Sequence, residues 1–159
     1  MKKLLSIILI VFILVPTVSV TTHAQSPEII ISETTEYFED GTSITTTITQ
    51  LSSNDLTRAT KTITGSKTKT VKNGDGDVLY KFKVTGTFSV NEGVSATCTA
   101  VSCSASNLAS GWSLASSTKS KSGNKATATG VFEYTVLFIT TITQETTATL
   151  TCDKNGNLS

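Results

Sequence analysis

Apolar and polar side chains alternate one for one along much of this chain. The pattern is cleanest where Tyr80, Phe82, Val84, Gly86, Phe88 and Val90 interleave with Lys81, Lys83, Thr85, Thr87 and Ser89. A strict period of two predicts a strand with one dry face and one wet face, as in an antiparallel sheet, and excludes an amphipathic helix. Ala126, Ala128, Gly130, Phe132, Tyr134 and Val136 repeat it, and a last strand places Ala148, Leu150 and Cys152 inward. Nearer the start, a strand from Glu28 to Phe38 is followed by Asp40-Gly41, and Ile44, Thr46 and Ile48 alternate with threonines in the returning arm of a β-hairpin. Leu51 to Leu56 reads as a loop. From Thr57 to Val71 the pattern changes, because Lys61, Lys67 and Lys69 share the parity of Ile63 and Val71. Lysines on a strand with two polar faces predict an edge strand. Asn73 to Asp77 and Asn91-Glu92-Gly93 punctuate the next segments, a Ser/Ala/Cys strand follows from Val94 to about Ala105, and Trp112 opens a serine-rich strand that reaches Ser122. With about eight strands and no helical window, the expected fold is all-β: an antiparallel β-sandwich, with a small up-and-down β-barrel as the alternative.

Composition narrows the picture. Of 159 residues, 16% are charged and 6% aromatic, and about thirty are threonine, a β-branched residue suited to half-buried strand positions. Lys2 and Lys3 precede an aliphatic run from Leu4 to Val15, and Pro16 leads to a more polar stretch ending at Ala24. Residues 1–24 therefore read as an export signal cleaved after Ala24, and 25–159 as one domain in an oxidising, extracellular setting. Without Lys2 and Lys3 the remainder is close to neutral, which argues against nucleic acid as a partner. The only histidine, His23, lies in the leader. The remaining chain can build neither a Ser-His-Asp or Cys-His catalytic set nor a histidine-ligated zinc site, and no cofactor is expected.

Three cysteines in an exported chain imply one disulfide and a leftover thiol, or a linked dimer. Cys98 and Cys152 share parity with inward residues, and closing that long loop would stabilise by about 4 kcal/mol against about 2 for the short loop to Cys103. Cys98 to Cys152 is the expected pairing; Cys98 and Cys103 could meet only across a bulge or turn. Asn73-Gly74-Asp75-Gly76-Asp77 and Asp153-Lys154-Asn155-Gly156-Asn157 begin like calcium loops, but they carry Val78 and Leu158 where such a loop needs glycine. They read as tight turns. Among carboxylates, Glu133 lies between Phe132 and Tyr134, yet its parity sends it to the wet face, so carboxylate-based hydrolysis is the least favoured reading. Arg58, Lys61, Lys67, Lys69, Lys81 and Lys83 form a candidate basic face after an acidic stretch with no base between Glu28 and Thr57. Leu137-Phe138-Ile139 falls at an expected hairpin tip, and with Trp112 it is the candidate interaction surface. Thr85-Gly86-Thr87-Phe88 and Thr129-Gly130-Val131-Phe132 echo each other, with glycine expected to make room for an aromatic in the core.

The stretch from Ser122 to Gly130, together with Thr149-Leu150-Thr151-Cys152-Asp153-Lys154-Asn155-Gly156-Asn157-Leu158-Ser159, resembles small secreted Ser/Thr-rich β proteins of Gram-positive bacteria with no established function. That resemblance implies secretion and carries no activity. The expectation is a secreted, non-catalytic interaction module at or near the cell surface, with a cell-wall polymer, a cell-surface protein or a membrane interface as partner. A bacteriocin-like, membrane-active protein is the alternative.

Overall fold

The computed structural model describes residues 27–51 and 60–159. The expected leader and Arg58 lie outside the described residues. Eight strands follow in order: β1 (Glu28–Tyr37), β2 (Ser43–Leu51), β3 (Thr60–Lys72), β4 (Val78–Asn91), β5 (Ser95–Ser106), β6 (Trp112–Ser122), β7 (Lys125–Val136) and β8 (Ile139–Thr151). They form a five-stranded sheet in the order β1-β2-β3-β4-β5 and a three-stranded sheet in the order β6-β7-β8, with every pairing antiparallel. The chain runs as a meander, each strand beside its sequence neighbour, and folds over between β5 and β6. The result is a β-sandwich. The up-and-down connectivity of the barrel alternative is present, but β8 and β1 do not pair and no barrel closes.

Burial along β4 follows the expected alternation: Tyr80, Phe82, Val84, Phe88 and Val90 are fully buried, as are Phe132, Ala148, Leu150 and Cys152 from the facing sheet. Phe82 meets Phe132 edge-on with ring centroids 5.7 Å apart, and Tyr80 stacks on the same Phe132 at 3.8 Å. One polar link joins the sheets inside this core, a 2.9 Å hydrogen bond between the Tyr80 and Thr146 hydroxyls. It satisfies both groups, and burial pushes the Tyr80 phenol pKa upward. The two echoing glycines are required by the aromatics. A Cβ on Gly86 would lie 2.8 Å from the Phe88 ring and one on Gly130 would lie 2.9 Å from Phe82.

The structure corrects one element. β3 is an interior strand, paired with β2 on one side and β4 on the other. Lys61, Lys67 and Lys69 stand opposite Val90, Val84 and Phe82, and so they project from the inner face of the large sheet. They are tolerated there because the small sheet does not cover all of that face: β8 lies over β3, while β1 and β2 project beyond it. Lys67 turns its ammonium to the edge of β8 and donates to the Thr149 carbonyl at 3.0 Å. The actual edges of the large sheet are β1 and β5. β1 is exposed at every position and adds nothing to the core.

Candidate functional site

In a meander, alternate turns share an end of the molecule. The β1–β2 turn, the β3–β4 turn, the β5–β6 loop and the β7–β8 turn therefore gather at one end. Contact confirms part of this grouping, since Gly41 and Gly74 of the first two turns pack together. Most of the large exposed apolar side chains collect here: Tyr37 and Phe38 from the first hairpin, Leu108 from the loop, and Val136, Leu137, Phe138, Ile139 and Ile142 from the last hairpin. Leu137 is 85% exposed and Phe138 is fully exposed.

The β7–β8 turn is unusual in its chemistry. Only Leu137 and Phe138 separate the two strands, with φ of 48° and 69°. Positive φ at both central residues is the type I′ pattern, whose twist suits a hairpin and which favours Asn-Gly. Bulky side chains in the left-handed region cost of order 1 kcal/mol or more each. Here that strain holds two apolar side chains in water.

Below the rim, a groove of about 410 Å³ separates the overhanging β1–β2 hairpin from β8. Phe38, Ile44, Val71, Leu79, Trp112 and Ile142 supply its apolar surface, and Asp40, Thr42, Thr143 and Gln144 its polar one. Trp112 is half-buried, 5.2 Å from Tyr80 and 5.6 Å from Tyr134 between ring centroids. It thus serves both as a wedge against the core and as a wall of the groove. Asp40 holds the first turn closed by accepting from the Thr42 hydroxyl at 2.6 Å and the Thr42 amide at 2.9 Å, contacts that keep its carboxyl below the usual range. Glu36, Glu39, Asp40, Asp75 and Asp77 give this end an acidic border, with Lys72 the nearest base in those turns.

The remaining sequence candidates are dispersed. Lys81 and Lys83 lie on the outer face of the large sheet, whereas Lys61, Lys67 and Lys69 lie on its inner face, so the structure divides the proposed basic face in two. Lys83 is committed to Glu28 at 3.2 Å, and Lys61 to Glu92 at 3.5 Å. Glu28 also accepts from the Thr49 and Ser66 hydroxyls at 2.7 and 2.9 Å, and these bonds, Thr49 foremost, hold its carboxyl below the ordinary 4.5 against a smaller effect of burial. Glu133 sits on the outer face of β7 between Ser113 and Thr143, outside the core. The calcium-like strings fold as two copies of one turn. Asn73 Oδ1 accepts from the Asp75 and Asp77 amides, and Asp153 Oδ1 accepts from the Asn155 and Asn157 amides. Gly76 and Gly156 each take the left-handed position, at φ of 88° and 90°.

All three cysteines are free thiols, so the expected Cys98–Cys152 disulfide is not formed in the structure. A bulge beside Thr87 and Phe88 turns both Cys98 and Cys103 inward, opposite Phe88 and Val84. Those partners are four residues apart on β4, about 13 Å at strand rise, which excludes a Cys98–Cys103 bond. Burial pushes the Cys152 thiol up to about 11, with Asp153 adding to the shift, and raises Cys98 as well. Neither is a thiolate nucleophile near neutral pH.

Sequence reasoning located Leu137-Phe138-Ile139 and Trp112 but missed Tyr37, Phe38, Leu108 and the groove. The available signal was topological: if consecutive strands pair throughout, odd-numbered turns must meet. No family model, curated protein or solved structure matches this chain.

Proposed function

We propose that the chain is a secreted, non-catalytic binding module whose contact surface is the apolar end of the sandwich. The observation that carries this reading is the Leu137-Phe138 turn: two bulky apolar residues kept exposed in a backbone conformation that Asn-Gly would adopt without strain. At the same end Phe38 and Ile142, both largely exposed, line the groove. The partner is a protein or polymer at or near the cell surface. Membrane activity is the weaker reading, because the lysines it would use lie on the sheet faces while the β1–β2 and β3–β4 turns at this end carry acids.

The test replaces the turn. Leu137→Asn with Phe138→Gly leaves the fold intact, and retention on intact cell walls, isolated membranes and culture-supernatant proteins is compared with wild type. One fraction should retain the wild type and release the variant. Equal retention of both in every fraction would sink the reading.

Export would also expose Cys98 and Cys152 to oxidation. In favour of their pairing, the Cys98 amide donates to Gly123 and the Cys152 amide to Asn124, adjacent residues of one turn that bring the two backbones together. We propose that in an oxidising medium the two thiols join, giving up two protons and two electrons to an external disulfide. Intact mass and thiol counting should find one free thiol, Cys103, per chain; three free thiols after exposure to oxidised glutathione would overturn the pairing.

A further inference from the structure

The large sheet has two strands more than the small one, and they project as a shelf: its lower part is closed by the C-terminal turn, where Ile48 of β2 joins Leu158 in the core cluster, and among the described residues no strand of the small sheet lies over the rest. Above the shelf runs the free edge of β8. The chain meets part of that edge itself. Thr151 exchanges two backbone hydrogen bonds with Ser159, at 2.8 and 2.9 Å, and Thr149 accepts from Lys67. Because backbone groups reach a given edge at alternate residues, Thr147, Glu145 and Thr143 present their amides and carbonyls to the same side. Among the described residues nothing pairs with them. Among the described residues a second free edge lies on β1, ten residues long and exposed throughout. Free edges of this length are templates for another strand.

We propose that a second copy of this chain fills the shelf, forming a closed two-fold dimer in which β1 of each copy pairs with β8 of the other. The count of strands makes this self-consistent. A two-fold axis parallel to the strands, passing between the two shelves, lays β1 and β2 of one copy over β2 and β1 of its partner. β1 runs opposite to β8 in such an arrangement, so the new pairing is antiparallel, as are all the others. Each copy then contributes its five strands to one layer and its three to the other. Two eight-stranded layers result, in which β1 of each copy meets the part of the other's β8 edge, Thr143 to Thr147, that the C-terminal turn and Lys67 leave free. The contact is isologous and closes at two copies.

Charge selects the same occupant. Lys67 and Lys69 stand side by side beneath the β8 edge, and neither belongs to an ion pair among the described residues. Burial, with Lys69 close by, lowers the Lys67 pKa. Of the acids on β1, Glu28 and Glu33 lie on the outer face, bonded to Thr49, Ser66, Lys83 and Thr47, so the inner face that would arrive above the lysines carries Glu36 and no base. Glu36 faces inward, two register pairs from Thr34, which shares its cross-strand row with Thr46 and Lys69. Two-fold symmetry brings Glu36 of each copy within a lysine's reach of Lys69 in the other. This inference does not rest on the proposed binding function: the partner's β1 would fill the groove beside β8, leaving the Leu137-Phe138 tips of both copies, on the same side of the dimer, as the contact surface.

Sedimentation equilibrium on the chain from Gln25 onward, which contains all eight described strands, should give twice the single-chain mass. Lys69→Glu should raise the dissociation constant about tenfold or more, and adding Glu36→Lys should recover most of that loss. Circular dichroism checks that each variant is folded. Amide exchange at Thr143, Glu145 and Thr147 should be slow in concentrated protein and fast on dilution. A single-chain mass up to about 1 mM, a dimer indifferent to Lys69→Glu, open-ended oligomers, or fast exchange at those three amides in concentrated protein would each overturn the proposal.

Discussion

Gly130 shows how a single position ties the sequence pattern to the packed interior. Its missing Cβ is the space occupied by the ring of Phe82, which in turn sets its edge against Phe132. Gly130→Ala forces that ring to move and should cost about 1–3 kcal/mol of unfolding free energy in a denaturant titration, as overpacked cores do. An unchanged midpoint would mean the aromatic cluster is looser than its geometry. This relation was legible in the sequence, because glycine and phenylalanine recur two residues apart on one parity in both strands. The inward turn of Cys98 and Cys103 was not. It depends on a bulge beside Thr87 and Phe88, and a one-residue slip reverses every side chain beyond it while leaving little trace in composition.

β1 and β3 carry the lesson at the level of elements. Parity placed the β3 lysines on the same face as Ile63 and Val71, and the structure keeps them there. What failed was the step from polar to edge. Lysine on an inner face is affordable where the facing sheet stops short, and the width of a sheet is a long-range property that no local pattern records. β1, read simply as a hairpin arm, is the actual edge and is tied down from its outer face by Glu28. Glu28 bonds to Thr49 of β2, Ser66 of β3 and Lys83 of β4, spanning three neighbouring strands. Its folded pKa is depressed below 4.5, so the unfolded chain binds this proton more readily. The contribution to stability is complete above the unfolded value and disappears as pH falls through the folded one. Acidification should therefore release β1 ahead of the core, seen as faster exchange of β1 and β2 amides while those of β4 and β7 stay protected. Glu28→Gln should show the same fast exchange already at neutral pH and lose the acid dependence.

The whole molecule is a meander folded once, with its eight strands legible from alternation and turn signals. The division into five and three was not, since nothing in β5 or β6 distinguishes a corner from another hairpin. That unequal division leaves an open side, and the C-terminal turn shuts its lower part. Asp153 to Asn157 reverses the chain, Cys152 and Leu158 form an antiparallel bridge, and Leu158 is driven over Gly65, where any Cβ would collide with it. Asp153 accepts from Asn157 through both carboxylate oxygens, which lowers its pKa and makes the reversal rigid. Leu158 is thus a core residue delivered from outside the eight strands, buried with Ile63 and Leu150 in one cluster. Removing it has two separable effects. Leu158→Ala should lower stability by about 2–5 kcal/mol through lost burial and the cavity left above Gly65. It should also loosen the Thr151–Ser159 pair, so that amide exchange at Thr151 and Ser159 accelerates more than global unfolding accounts for. If Leu158→Ala left the unfolding midpoint unchanged, the tail would be only a surface turn, and the sandwich would have to be regarded as open along the whole length of β8.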